Sequence, residues 1–272
     1  MSAALLALAA ALTLAVATGV TKQLVTDYAP GQLIGPLLLL NAALLAPFLP
    51  LGSWRWSGEI MWLHLASAGC IVAVSACVFF LFVHGSAAAV SFGTALSPIG
   101  AVLFSAVLLT GSLTWAQVVG AVVVTAAVAF AVGDAFGVAR GRAAAAVLVN
   151  AVLGGLLTVL TKLLTDRGVG LPEIYVSRTL LAGAIWLVAV PPRDLPRRAV
   201  PALVGRSALQ SAYFVLVIAA VARGTPTTVQ TIAATTPLFL LLGIAARRRE
   251  RPSPRLLAAS VAVVAGVSLA VG

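Results

Sequence analysis

Apolar residues fill this chain in long blocks that show neither the alternation of a half-buried strand nor the single stripe of an amphipathic helix. The blocks cover residues 2–21, 31–51, 60–83, 86–110, 114–133, 143–164, 172–191, 201–222, 226–246 and 254–272. Each approaches the roughly 20 residues that take an α-helix across the hydrocarbon of a bilayer. Between them lie residues that let the backbone leave a helix and meet water, among them Tyr28-Ala-Pro-Gly31, His84-Gly-Ser86, Gly133 to Arg142, Arg223-Gly-Thr-Pro226 and Arg247 to Pro254. Blocks that are apolar on every side predict an all-α integral membrane protein of ten transmembrane helices joined by short loops.

The pattern repeats. A shift of 139 residues lays Gly85 on Gly224, Ser97-Pro98 on Thr236-Pro237 and Gly133 on Gly272 without a gap. Alanine and valine matches mean little in so simple a composition, but glycine and proline fix backbone geometry, so their coincidence carries weight. Upstream, Thr21-Lys22 and Asp27 correspond to Thr161-Lys162 and Asp166 with one residue of slippage. The expected organisation is a five-helix repeat over 1–133, a connecting loop over 134–142 and a second five-helix repeat over 143–272. Five is odd, so the second copy enters the membrane upside down. Two inverted five-helix repeats are a common plan among secondary transporters, with the substrate site between the repeats near the midplane.

On these residues the chain resembles the EamA-type ten-helix members of the drug/metabolite transporter superfamily. Each half has a first span ending in lysine, Lys22 or Lys162. Each has a fourth span running from Gly85 to the Leu-Ser-Pro-Ile that ends at Ile99, or from Gly224 to the Thr-Thr-Pro-Leu that ends at Leu238. Arg178 matches the arginine of the second span, and Arg249 to Pro252 holds the glutamate such families carry after the ninth. The first half departs from the pattern, with Gly111 in place of the glutamate and Leu38 to Leu40 in place of the arginine. The resemblance implies a basket-like bundle in which spans 1, 3, 4, 6, 8 and 9 line a central cavity and spans 5 and 10 lie outside it. It also implies export of amino acids, drugs or related metabolites, often by exchange with protons.

Composition sharpens the class. Charged residues make up 9% of the chain and hydrophobic ones 61%, against about 25% charged in a soluble domain. The net charge of +10 would suit a nucleic-acid binder, but the basic residues sit in short clusters between apolar blocks, as membrane anchors do. The expected partners are therefore a small-molecule substrate and membrane lipid, with no nucleic acid, around a monomeric bundle in the cytoplasmic (inner) membrane. No phosphate loop, metal-ligand set or nucleophile elbow occurs, so the expectation is no enzyme, no cofactor, no metal, and transport driven by a gradient. The first block could pass for a signal peptide cut after Ala15-Val16-Ala17, but it lacks a basic n-region and is retained as a span. Cys70 and Cys77 lie two helical turns apart, too far to bridge, and read as small buried hydrophobes.

A polar side chain at membrane depth is costly and needs a reason. The candidates for substrate binding are Lys22, His64, Ser91, Thr94, Asn150, Lys162, Gln210, Tyr213, Gln230, Thr231 and Thr235. No Asp or Glu lies at the centre of a span, which argues against a site for exchanging organic cations with protons. His64 is the proton-coupling candidate, with an interfacial hydrogen-bonded histidine as the alternative. Lys22 and Lys162, inverted to opposite mouths, would suit a carboxylate or phosphate, or would simply snorkel to headgroups. Pro98 and Pro237 each follow a hydroxyl residue in mid-span, where a freed carbonyl and a kink make a hinge for alternating access. A flippase for a lipid-linked intermediate and a solidly packed scaffold are the competing functions.

The basic residues favour one side. Arg55, Lys162, Arg167, Arg178 and Arg223 fall on one face, and the rest of the 17 on the other. The positive-inside rule then places both termini outside, whereas the family resemblance implies both inside.

Overall fold

A computed structural model describes residues 2–84, 90, 94–109, 114–132, 141–191, 197–248 and 254–271. Ser91, Gly85, Gly133, Gly272, most of the 134–142 loop and Arg249 to Pro252 lie outside the described residues. Among the described residues the chain is helical without strands. In order the helices are α1 (Ala3–Asp27), α2 (Pro30–Leu45) with a 3-10 turn over Ala46–Leu51, α3 (Gly58–His84), α4 (Ser97–Leu108), α5 (Trp115–Val132) and α6 (Arg142–Asp166). They continue as α7 (Leu171–Ala189), α8 (Val200–Val221) after a short 3-10 turn, α9 (Pro226–Ala233), α10 (Thr236–Arg248) and α11 (Pro254–Val271). Six helical stretches are long and apolar enough to cross a membrane: α1, α2 with its 3-10 turn, α3, α6, α7, and α8 with the turn before it. The apolar stretches Ser97–Leu108, Trp115–Phe130 and Leu257–Val271 are shorter.

Local chemistry sets the helix ends. Ser2 caps α1 by accepting from the Leu5 amide, and Thr225 caps α9 by accepting from Thr228, with Pro226 in the first turn where its missing N–H costs nothing. Helix α6 is followed, after Arg167, by Gly168, whose φ of +75° continues the chain into α7 at little strain.

Packing joins helices that correspond under the repeat. Helix α2 lies against α7, with Trp186 Nε1 donating to the Gly31 carbonyl at 2.8 Å and the faces of Gly35 and Gly183 meeting Leu187 and Leu39. As residue numbers rise along α2 they fall along α7, so the pair is antiparallel. Helices α5 and α11 behave alike. Gly120 touches Gly266 and Ala270, while Arg255 at the start of α11 donates to the Phe130 carbonyl near the end of α5. The α1–α8 pair, joined by Arg206 and Thr21, has its counterpart in α3–α6, joined where Arg167 beyond α6 meets Glu59. Small residues let these backbones approach where the lipid offers no hydrophobic drive for helix association. The outward surface stays apolar, with Val188, Trp115, Trp62 and Val261 exposed.

The two candidate hinge prolines stand elsewhere than in the middle of unbroken helices. Pro98 and Pro237 open α4 and α10, just after a turn at Leu96 and at Ala234–Thr235. The two breaks share one hydrogen bond, from the Ile99 amide to the Leu96 carbonyl and from the Leu238 amide to the Thr235 carbonyl. Pro237 has no N–H to offer the Ala233 carbonyl four residues back, and the Thr236 hydroxyl donates to it instead at 2.7 Å. Replacing Thr236 with isosteric valine leaves that buried carbonyl bare and is expected to cost about 1–3 kcal/mol in a denaturant titration of the purified protein. An unchanged midpoint would mean the break does not depend on the hydroxyl.

Candidate functional site

The breaks and crossings leave a cavity of about 160 Å³ inside the bundle. Helix α1 contributes Thr18 and Thr21, α2 Leu38 and Asn41, α3 Phe79 and Phe82, and the fourth segment Thr94 and Ser97. From the other half come Asn150, Thr158 and Thr161 on α6, Arg178 on α7, Arg206, Gln210, Tyr213 and Phe214 on α8, and Gln230 on α9. The described lining includes nothing from α5 or α11, and it draws on α2 and α7, which the resemblance did not assign to the cavity.

Hydrogen bonds hold the polar groups in place. Arg178, 1% exposed, donates through Nη1 to Thr161 Oγ1 at 2.9 Å, and its guanidinium lies 5.1 Å from the Phe214 ring centre and 5.8 Å from that of Tyr175. Both distances suit attraction between a cation and a ring face. Arg206 donates through Nε to Thr21 Oγ1 at 2.8 Å, across the two halves. Tyr175 and Ser211 share a hydrogen bond of 3.1 Å behind this pair. Gln230 donates to Thr158 Oγ1 and to the Gly154 carbonyl, and the Asn41 amide sits against Ser207. The described lining holds two guanidinium groups and no carboxylate.

Of the residues singled out in the sequence, Thr94, Asn150, Gln210, Tyr213 and Gln230 meet at this cavity. Ser91 lies outside the described residues, and Lys22, His64, Lys162, Thr231 and Thr235 stand apart from the described lining. Lys22 donates to the Phe82 carbonyl at 2.9 Å, and Lys162 pairs with Asp166 one turn on at 2.8 Å. Thr231 and Thr235 are buried and return their hydroxyls to the Thr227 and Ile232 carbonyls. His64 is 1% exposed, and neither ring nitrogen has a hydrogen-bond partner among the described residues. The residues absent from the candidates include Arg178, Arg206, Asn41 and Thr158, and the threonine pair Thr21 and Thr161. Arg206 enters the sequence reading only as one of the basic residues on the richer side, although it lies inside the 201–222 block, and an arginine there is itself a signal of function. With Arg206 and Arg178 both inside the bundle, each side of the charge count loses one member and the bias stands.

Two comparisons extend this picture. The EamA-like transporter family matches twice, over residues 1–133 and 141–272. The chain belongs to the EamA-like transporter family. As an EamA-like protein with many apolar helices it is a multi-pass membrane protein, from a family of transporters rather than enzymes. One solved crystal structure aligns over 99% of this EamA-like chain and 98% of its own, at 21% identity with a TM-score of 0.75, a likeness of fold. Among curated proteins none matches it.

Proposed function

We propose that the chain is a secondary transporter that exports a small organic solute across the cytoplasmic membrane by alternating access. Its ten spans form two inverted halves, 1–133 and 143–272, linked by 134–142. The observation that carries the reading is the cavity: it lies between the halves and is lined by both, with polar groups set in an apolar wall. The antiparallel pairing of α2 with α7 and of α5 with α11 supports a two-fold axis across the helices rather than along them. The paired breaks before Pro98 and Pro237 are the hinges, since a broken helix can change angle without losing the hydrogen bonds of an intact one. Thr94, Asn150, Gln210, Tyr213 and Gln230 contact the solute. Lys22, His64, Lys162, Thr231 and Thr235 act from behind the wall. A scaffold would fill its own middle, and the cavity speaks against that alternative.

The full-length protein reconstituted in liposomes is expected to exchange internal for external labelled solute, above protein-free vesicles, for at least one class among amino acids, small organic acids and hydrophobic drugs. A protein that moves none of them in either direction, under any imposed gradient, is not this carrier.

A further inference from the structure

We propose that the cavity is an anion site, in which Arg178 and Arg206 receive the carboxylate or phosphate of a small organic acid. The inference rests on the carrier reading and names its substrate class. Taking a guanidinium out of water costs several kcal/mol unless an opposite charge answers it. Nothing in the described protein supplies that charge: the ion pairs are Lys162–Asp166 and Arg167–Glu59, both at helix ends away from the cavity lining. Arg178 satisfies one N–H on Thr161, and its Nε has no hydrogen-bond partner among the described residues. A guanidinium carries five N–H donors in a planar fork that matches the paired oxygens of a carboxylate or phosphate. Two such forks on one void present an unanswered positive site.

The fold does not require them. Under the shift of 139 residues Arg178 falls on Leu39 and Arg206 on Ser67, so the other half builds the same helices without either charge. What the halves do share is the threonine at 21 and 161, each accepting from one arginine. The rest of the wall carries no charge: neutral polar groups such as Asn150 and Gln210 alternate with an apolar surface that includes Ile34, Leu38, Phe79 and Phe214. A void near 150 Å³ accepts a benzene ring. The ligand is therefore a compact organic anion with a hydrocarbon body of about that size.

The test uses the full-length protein in detergent and four probes of one shape: phenylacetate, phenyl phosphate, phenylacetamide and phenethylamine, titrated calorimetrically. At least one anion is expected to bind about tenfold or more tighter than the amide, because hydrogen bonds between charged partners outweigh neutral ones. The stronger of the two anions tells carboxylate from phosphate. Arg206→Gln is expected to weaken that anion by about tenfold or more, with the size-exclusion profile unchanged. Should that variant aggregate, Arg206→Lys keeps the charge, loses the fork and is expected to weaken binding severalfold. The proposal is overturned if the amide binds as tightly as the acids, if the amine binds best, if none of the four binds, or if the Arg206 variant that folds binds the anion like the parent. Flux separates this from the carrier reading. Exchange of neutral or cationic solutes without anion binding sinks the anion site alone, and anion binding without any flux sinks the carrier alone.

Discussion

Gly155→Ala is expected to lower stability by about 3 kcal/mol or more and to abolish transport, although it adds a single methyl group. A Cβ at position 155 would lie 2.3 Å from the Ala101 nitrogen, 2.4 Å from the Gly100 carbonyl carbon and 2.7 Å from the Gly100 Cα. All three are backbone atoms, which have no rotamer to escape into. Gly100 is confined in return, since its own added Cβ would meet the Ala151 carbonyl oxygen at 2.9 Å. The only relief is for α4 to move away from α6, and α4 carries the proline break while α6 supplies Asn150, Thr158 and Thr161 to the cavity. The adjacent Gly154 provides the control. Its Cβ would meet chiefly the Ser97 hydroxyl at 2.8 Å, a side chain rather than backbone, so Gly154→Ala should cost clearly less than Gly155→Ala. Denaturant titration and vesicle flux of the two variants side by side make the measurement. Parent-like stability and flux for Gly155→Ala would mean that the α4–α6 crossing admits a methyl group without moving.

Much of this fold is written in one-dimensional features. Long apolar blocks become helices because lipid leaves the backbone no other way to satisfy its polar groups, and the Gly and Pro coincidences mark the repeat because they fix the backbone whatever surrounds it. The breaks before Pro98 and Pro237 were legible as kinks. That the helix stops for a turn and restarts was not, because this depends on which hydroxyl reaches which carbonyl.

The site was legible only in part, and helix geometry says why. Lys22 and Lys162 stood out by their charge, yet their neighbours Thr21 and Thr161 face the cavity. Adjacent helical residues point about 100° apart, so a residue that lines a cavity turns the next one toward a neighbouring helix or the lipid. Lys22 accordingly meets the Phe82 carbonyl of α3, and Lys162 meets Asp166 on its own helix. Arg206 was hidden by its basic neighbours Arg197 and Arg198, which made it look like part of a loop, while the fold carries it two turns into α8. Thr231 and Thr235 are polar residues in a polar segment, but they spend their hydroxyls on nearby carbonyls of α9, those of Thr227 and Ile232.

Arg178→Met separates the binding role of that side chain from a structural one. Replacing a whole buried ion pair by apolar residues of similar volume is often neutral or stabilising by about 1–4 kcal/mol, and a guanidinium with no ion-pair partner among the described residues has still less attraction to lose, since its desolvation no longer opposes folding. The losses here are modest. Thr161 keeps a hydrogen bond of its own by donating to the Leu157 carbonyl at 2.8 Å, so its hydroxyl is not stranded. The contacts with Tyr175 and Phe214 are partly replaced, since a thioether also packs well against aromatic rings. The expected result is an unfolding midpoint equal to or above the parent's, together with a loss of about tenfold or more in affinity for whichever anion the parent binds. That pair of results is what the anion-site proposal requires, a charge that costs the fold and serves a ligand. If Arg178→Met instead unfolds earlier by about 3 kcal/mol and binds the anion as before, the guanidinium belongs to the bundle's own cohesion and the anion must be held by other groups.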